Sequence, residues 1–340
     1  MAVMGGRSID LPVGLDTAVG SLPHVDIDAA VAFALARQPR LPAAPSLPQR
    51  TPLEGMVAQA AWGVSGVTLG ADGSITVVPD ELDPTAPVGD ADLAGEPFAT
   101  LRAFLDAVAD RTEPVKLQLT GPVTLGVALH AAGADADRAF AVAGAAVRAR
   151  AAALLGLAER RAPGVPLVVV VDEPGLTGIS HPDFPVAPDH AVDLVSGALA
   201  ALEPGALTGV HCCGPTDWNL VLSAGPGLVS APLDGGLLLA AGSLARYLDD
   251  GGRIAWGVVP TDGPVGASAG RLFRQMSTAW CDLVRAGCDP VALRTQSLVT
   301  PACGLATHGI TQAERVYGLT HQVAARLHDQ AVGIRLSVGA

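Results

Sequence analysis

The stretch Val168-Val169-Val170-Val171-Asp172-Glu173-Pro174 decides the fold class. Four consecutive valines predict a β-strand that is apolar on both faces, as in parallel sheets covered by helices. Two carboxylates follow this run directly, and a carboxylate beside a buried strand must be paired, hydrogen-bonded or functional. The stretch therefore indicates an α/β protein with polar groups at the carboxyl end of its sheet.

Similar apolar or β-branched runs recur along the chain and alternate with Ala/Leu/Arg-rich helical patterns. The expected strands are 16–22, 41–47, 115–120, 166–172, 207–211, 228–232, 253–259 and 295–300. The expected helices are 27–37, 98–110, 139–161, 190–202, 241–249, 269–286 and 312–327. Strands that alternate with helices in this way predict a closed parallel (β/α)8 TIM barrel.

One interruption, at about residues 64–80, predicts a hairpin inserted outside the barrel. Val67-Thr68-Leu69 and Ile75-Thr76-Val77 flank Asp72-Gly73, a dipeptide typical of hairpin turns. The Pro-, Asp- and Gly-rich stretch 79–96 that follows predicts a loop. With this insertion, residues 1–340 are expected to form a single barrel domain.

Composition narrows the classes of partner. A net charge of -12 with only 21 Lys+Arg residues, and no basic run, argues against nucleic-acid binding. An odd count of five cysteines favours a reducing compartment over a disulfide framework. The first residues lack a secretory apolar segment, and no apolar stretch is expected to reach membrane-spanning length. We therefore expect a cytoplasmic protein with no membrane partner.

Metal-binding side chains occur at the ends of expected strands, where TIM-barrel sites lie. His211 and Cys213 end one strand, and Cys303 follows a later one. Imidazole and thiolate donors favour Zn²⁺, which can keep a bound substrate thiol deprotonated. The alternative is ordinary core packing, since free cysteine is among the most buried residue types. Three such donors at strand ends of one barrel favour the metal; Cys212 should face the opposite side of its strand.

Other strand ends predict substrate contacts. Asp172, nearer the expected barrel mouth, is the candidate to bind a substrate ammonium group. Glu173 is either functional or a cap for the next helix. Gly20-Ser21 could hold a carboxylate through amides and a hydroxyl, because Gly20 lets the backbone approach a ligand closely. The alternative there is a simple strand-to-helix turn.

Five motifs together resemble a known family. They are, in chain order, Gly20-Ser21-Leu22-Pro23, Leu119-Thr120-Gly121-Pro122-Val123-Thr124, Val171-Asp172-Glu173-Pro174, His211-Cys212-Cys213 and Pro301-Ala302-Cys303-Gly304-Leu305. The set is similar to the C-terminal catalytic domain of cobalamin-independent methionine synthase, in the superfamily that includes uroporphyrinogen decarboxylase. The resemblance extends over nearly the whole chain, which looks like a short, single-barrel member.

This resemblance implies a TIM barrel in which Zn²⁺ binds the homocysteine thiol and the product is methionine. By motif match the metal ligands would be His211, Cys213 and Cys303. The substrate-binding residues would be Gly20, Ser21 and Asp172. Longer family members use an additional N-terminal barrel to help bind a folylpolyglutamate methyl donor. This chain is expected to lack that barrel, so both a methylfolate and a methylcorrinoid, including a corrinoid protein, stay open as donors.

Three positions depart from the family pattern. The family's zinc site has a further carboxylate where Pro232 stands here, with Asp234 as the candidate substitute ligand. An acidic substrate-binding residue is expected near Ser46, and the nearest carboxylate is Glu54. A histidine expected after the seventh strand is replaced, which leaves Asp262 as the candidate catalytic acid.

The residues and the resemblance together predict a zinc-dependent methyltransferase that makes methionine, or a related thioether, by in-line displacement. One alternative is a uroporphyrinogen-decarboxylase-like enzyme, although that chemistry needs no zinc and requires basic side chains that are sparse near these strand ends. Another is a corrinoid-linked thiol methyltransferase with a different substrate. A third, from another class, is a catalytically weakened barrel that binds a metabolite or a metal.

Overall fold

Parallel strands with helices packed outside them position the candidate residues. A computed structural model describes residue 9 and residues 11–90, 93–234 and 236–338, with side chains described up to residue 333. The strands are β1 (Val67–Leu69), β2 (Ile75–Val77), β3 (Val115–Thr120), β4 (Leu167–Asp172), β5 (Ala206–His211), β6 (Leu228–Pro232), β7 (Arg253–Val259) and β8 (Ser297–Pro301). Strands β3 to β8 lie side by side in chain order in one parallel sheet that curls into a half-barrel.

The helices alternate with these strands along most of the chain. They are α1 (Ile27–Arg37), α2 (Met56–Ala61), α3 (Ala99–Ala107), α4 (Pro122–Ala131), α5 (Ala136–Arg161), α6 (Pro188–Leu202), α7 (Trp218–Ser223), α8 (Ala241–Asp249), α9 (Ala269–Arg285), α10 (Pro290–Thr295) and α11 (Ile310–Val338). Each of the seven expected helices is present, whereas the short helices α2, α4, α7 and α10 were not predicted. Helix α4 lacks a helical period because it is buried on most of its surface.

Strand β4 shows why the valine run forms a strand. Val168 and Val170 join the apolar cluster inside the curl, whereas Val169 and Val171 join the larger cluster under the helices. All four are fully buried, since alternate side chains of a strand point to opposite faces and both faces are covered here.

The first two expected strands, 16–22 and 41–47, are extended segments joined by isolated bridges. The amide of Thr17 donates to the carbonyl of Val299 in β8 at 3.0 Å, and the amide of Leu22 donates to the carbonyl of Ser46 at 2.9 Å. A further bridge joins residues 43 and 116, the latter in β3. Six of the eight expected barrel strands form as regular strands among the described residues, and the other two are extended segments held by these bridges. Prolines at 42, 45 and 48 lack the amide hydrogens that a continuous ladder requires.

The predicted hairpin is confirmed. Strands β1 and β2 pair antiparallel around Asp72-Gly73 and form a separate sheet from the barrel strands. Arg150 of α5 holds the adjoining chain: its guanidinium donates to the carbonyls of Trp62 at 2.5 Å and Asp90 at 3.3 Å. The same group lies 4.8 Å from the ring centroid of Phe98. The insertion is thus fastened to the barrel wall.

Helix α5 is long and apolar enough to cross a membrane by length and composition, contrary to the expectation from sequence. In the most apolar 18-residue stretch of this helix, 56% is buried inside the molecule. The helix packs against α4 and α6. Its apolar character is consistent with a core helix.

Candidate functional site

The structure brings together the three side chains predicted to bind metal. His211 is the last residue of β5, Cys213 lies two residues beyond it, and Cys303 lies two residues beyond the end of β8. Their ligand atoms all lie within 4.8 Å of one another. Although 90 residues separate Cys213 from Cys303, the parallel sheet places both strand ends at the same edge.

The His211 ring has one nitrogen bonded and one without a partner. Nδ1 lies 2.9 Å from the hydroxyl oxygen of Ser230, which pairs with His211 across β5 and β6. Nε2 is buried and has no hydrogen-bond partner among the described residues. A buried ring nitrogen without a partner is costly unless it binds something.

The two outer thiols lie within 4.8 Å of each other and affect each other's protonation. The interaction with Cys303 lowers the pKa of Cys213, and the same interaction raises the pKa of Cys303. Cys212, between the ligands in sequence, is fully buried; its thiol donates to the carbonyl of Gly214 at 3.6 Å, and burial raises its pKa to about 11. The pair faces the cavity, and Cys212 does not line it.

A soft divalent metal fits this donor set. One imidazole and two thiols are donors that Zn²⁺ takes, and the partnerless Nε2 of His211 would gain a ligand bond. Three protein donors leave a fourth tetrahedral position for water or substrate, as in catalytic zinc sites. His211, Cys213 and Cys303 are thus the residues that could hold a metal.

A cavity of about 330 Å³ opens beside the three donors. It lies at the carboxyl ends of the strands and includes His211, Cys213, Cys303, Asp172 and Ser21 in its lining. Among the described residues that line it there is no lysine or arginine. The site can therefore accept a small molecule beside the thiols, with one carboxylate available to a cationic group.

Asp172, the last residue of β4, is that carboxylate. Its Oδ1 is buried and lacks a hydrogen-bond partner among the described residues. Burial raises the pKa of Asp172, and Lys116 acts in the opposite direction. Lys116 is itself buried, where its ammonium donates to the carbonyl of Val19 at 2.8 Å and to Gln118 Oε1 at 3.2 Å, and burial lowers its pKa to about 8.

Glu173 follows β4, and its carboxylate lies at the N-terminus of α4 and does not line the cavity. Its carboxylate accepts the amides of Val123 at 2.9 Å and Thr124 at 2.7 Å, and the hydroxyl of Thr124 at 2.6 Å. A Cβ at Gly121 would collide with this carboxylate, which explains the glycine. Glu173 therefore caps a helix, but it is α4, which precedes Glu173 in the chain, and not the next helix as the alternative from sequence expected.

The Gly20-Ser21 turn contributes its serine to the cavity. Gly20 has a φ of +139°, and a Cβ there would overlap the side-chain amide of Gln118. Ser21 lines the cavity, and its carbonyl accepts the amide of Leu305 at 2.9 Å. The turn is therefore tied to the loop that carries Cys303.

Three acidic candidates lie elsewhere. Asp234 and Asp262 are exposed and do not line the cavity, and Asp234 is outside the three-donor group. Glu54 is buried, where its carboxylate accepts the amide of Leu47 at 2.6 Å and the hydroxyl of Thr100 at 2.7 Å. The roles of Asp234 as a ligand and Asp262 as an acid stay predictions.

Sequence reasoning missed Ser230 and Lys116. The available signal was the period of two along β3 and β6, which places polar residues at the inward positions of otherwise apolar strands. In β3 these inward positions run from Lys116 through Gln118 to Thr120, which lines the cavity.

Several solved structures share the fold of this chain. No protein-family model and no curated protein matches the chain. A B12-independent methionine synthase from a Shewanella species, solved with selenomethionine, superposes with a TM-score of 0.64 at 15% identity, over 94% of this chain and 99% of that one. A methyltransferase from Methanosarcina mazei gives a TM-score of 0.60 at 15% identity, over 97% and 96%.

The chain has the fold of these structures. A Listeria monocytogenes structure with a provisional assignment as a vitamin-B12-independent methionine synthase agrees, with a TM-score of 0.56 at 14% identity over 89% of this chain and 86% of that one. The family resemblance found in the motifs and the likeness of fold thus point to the same group of proteins.

Proposed function

We propose that this chain is a zinc-dependent methyltransferase that moves a methyl group to a small thiol, with homocysteine, giving methionine, as the first candidate. The observation that carries the proposal is the convergence of His211, Cys213 and Cys303 within 4.8 Å beside a cavity. The shared fold with methionine synthase structures supports it. We further propose that residues 1–340 form one domain and that the protein is cytoplasmic.

Zn²⁺ at these donors would supply a thiolate near neutral pH from a substrate thiol whose free pKa is roughly 8.5. His211, Cys213 and Cys303 would hold the metal, and the acceptor would lie in the cavity. Asp172 receives the ammonium group, and Gly20-Ser21 provides backbone amides and a hydroxyl for the carboxylate. The acceptor sulfur bonds to the methyl carbon while the methyl–donor bond breaks and its electron pair stays with the donor.

The proposal includes a complete (β/α)8 barrel. The bridged segments 16–22 and 41–47 lie between β8 and β3, and we infer that they occupy the places of the first two strands. In that arrangement Ser21, Ser46 and the residues at the ends of β3 to β8 surround one mouth. The methyl donor stays open between a methylfolate and a methylcorrinoid, free or protein-bound.

Two alternative functions make different demands on the site. A uroporphyrinogen-decarboxylase-like activity would need cationic side chains for several carboxylates, and the described cavity lining contains no lysine or arginine. A catalytically weakened barrel is favoured by the exposed positions of Asp234 and Asp262. Such a barrel would bind zinc or a thiol without transferring a methyl group.

The test is an anaerobic assay on zinc-loaded protein with homocysteine and either methyltetrahydrofolate or methylcobalamin. We expect about one Zn²⁺ per chain and methionine formation with one of the donors. Cys303→Ser should lower zinc affinity sharply and abolish transfer, whereas Cys281→Ser, at an exposed cysteine outside the site, should change neither. Full zinc occupancy in a chain lacking both Cys213 and Cys303 would refute the metal site. Zinc binding without transfer to any thiol tested would favour the weakened barrel.

A further inference from the structure

Ser230 contacts the candidate metal centre through both its side chain and its backbone. Its hydroxyl lies 2.9 Å from His211 Nδ1, and both residues are buried. Its carbonyl accepts the amide of Cys212 at 3.2 Å, which holds the chain between the two candidate ligands His211 and Cys213. Strand register sets both contacts, because His211 pairs with Ser230 and Ser230 pairs with Ala255.

The chemistry of the hydroxyl matters because a neutral imidazole has two tautomers. If Ser230 donates to Nδ1, the ring proton is on Nε2, and Nε2 cannot bind a metal. If Ser230 accepts from Nδ1–H, the lone pair of Nε2 is free, and that nitrogen is the one that is buried without a hydrogen-bond partner among the described residues. A hydroxyl can both donate to Nδ1 and accept from Nδ1–H. The contact between Ser230 and His211 can therefore persist whether or not a metal is bound.

We propose that Ser230 is a positioning residue that holds His211 with Nε2 directed at the metal and that selects the Nδ1–H tautomer when metal binds. The inference rests on the metal site of the proposed function and adds a residue that donates no ligand atom. Partners of this kind orient metal-bound histidines, and their loss typically costs roughly 10–100-fold in metal affinity.

The experiment compares zinc affinity, by competition with a chelating dye, among the native chain and three variants. Ser230→Ala should weaken binding by about 10–100-fold. Ser230→Thr keeps the hydroxyl and should restore affinity to within a few-fold of native. Ser297→Ala is the matched control: it removes a buried hydroxyl bonded to Trp256 Nε1 at 2.8 Å that does not line the cavity, and it should leave affinity unchanged.

A second readout separates positioning from general loosening of the fold. In zinc-loaded native protein, ¹⁵N-resolved NMR should show a His211 Nδ1–H protected from exchange with solvent. That signal should be lost in Ser230→Ala, whereas Co²⁺ substituted into the same variant should retain sulfur-to-metal charge-transfer absorption from both cysteines.

The outcomes distinguish this inference from the proposed function. Native protein that binds no zinc would overturn the metal site and the role of Ser230 with it. Native protein that binds zinc while Ser230→Ala binds it equally tightly would overturn the role of Ser230 alone. An equal loss of zinc affinity in Ser230→Ala and Ser230→Thr, with a normal Nδ1–H signal in both, would also overturn it. The loss would then not depend on the hydroxyl group.

Discussion

Asp172 is the residue on which substrate identity depends most. It follows the valine run, lines the cavity, and has a buried oxygen without a hydrogen-bond partner among the described residues. Lys116 lies below it and donates to Val19 and Gln118. A ligand with an ammonium group would therefore meet a carboxylate that is not already bonded to that lysine.

Asp172→Asn should weaken binding of an amino-bearing thiol such as homocysteine while preserving the shape of the site. Loss of the ionic part of one charged hydrogen bond corresponds to roughly 1.5–3 kcal/mol. Titration calorimetry on zinc-loaded protein should show this loss for homocysteine and little change for a simple thiol that has no amino group. Zinc binding should survive. If both thiols lose affinity equally, Asp172 is structural and the case for an amino-acid substrate fails.

Gly20→Ala should destabilise the protein by about 1–3 kcal/mol, the usual range for a residue forced into a sparsely populated backbone conformation. The reason is its φ of +139° and the overlap of a Cβ with the amide of Gln118. Guanidinium unfolding measures the change in midpoint. Gly263→Ala is the control, since nothing lies within 4 Å of a Cβ there, and a comparable loss in both variants would contradict the explanation.

At the level of elements, α4 is a helix whose first amides are bound by a buried carboxylate from another loop. The helix begins at Pro122 directly after β3 and Gly121, and Glu173 from the next βα loop accepts two of its first amides. Burial raises the pKa of Glu173 to about 7 from an ordinary value of 4.5, despite three hydrogen bonds that favour the charged form. Glu173 therefore stabilises the fold less when its carboxyl group is ionised than when it is protonated.

The pH dependence has a definite sign. Because the folded pKa of Glu173 lies above the unfolded one, its contribution to stability is fully present below about pH 4.5 and is lost as pH rises through about 7. Glu173→Gln should cost about 1–3 kcal/mol, because its amide NH₂ would face main-chain N–H donors. The difference in unfolding free energy between native protein and this variant should shrink from pH 5 to pH 8.

Denaturant unfolding at the two pH values measures that difference. Glu159→Gln, an exposed change on α5, should leave the native profile unchanged. A difference between native protein and Glu173→Gln that grows with pH would mean that Glu173 is stabilised as a charged group.

For the whole molecule, the metal donors connect distant parts of the sheet. His211 and Cys213 follow β5, whereas Cys303 follows β8, so bound metal would link both ends of a four-strand span. Zinc at 100 times its dissociation constant should raise the free energy of unfolding by about 2.7 kcal/mol. Thermal melts across a zinc series measure this. Cys303→Ser should remove most of the increase, and a melting temperature independent of zinc in the native chain would contradict specific binding.

Barrel closure is also testable in the whole molecule. If segments 16–22 and 41–47 complete the barrel, the amides of Thr17, Leu22 and Ala44 should exchange with solvent about as slowly as those in the centre of β4. Hydrogen exchange followed by NMR measures each amide. Fast exchange at all three, with β4 protected, would indicate an open half-barrel.

The sequence by itself determined most of the scaffold and which three side chains are candidate metal donors. Six barrel strands, seven helices and the hairpin follow from local apolar runs, helical periods and an Asp-Gly turn, which act over a few residues. The His-x-Cys spacing at the end of β5 and the later Cys303 predicted that these side chains converge, because parallel strands bring their carboxyl ends together whatever their separation in sequence.

Tertiary structure alone decided the partners of each polar group. Segments 16–22 and 41–47 pair through isolated bridges, Glu173 and Glu54 accept backbone amides away from the cavity, and Asp234 and Asp262 lie exposed on loops. Strand register places Ser230 beside His211, and the depth of Lys116 in the barrel places its ammonium at the carbonyl of Val19. Such contacts join residues up to about a hundred positions apart, so local patterns cannot specify them; only the packed sheet sets which side chain each buried polar atom meets.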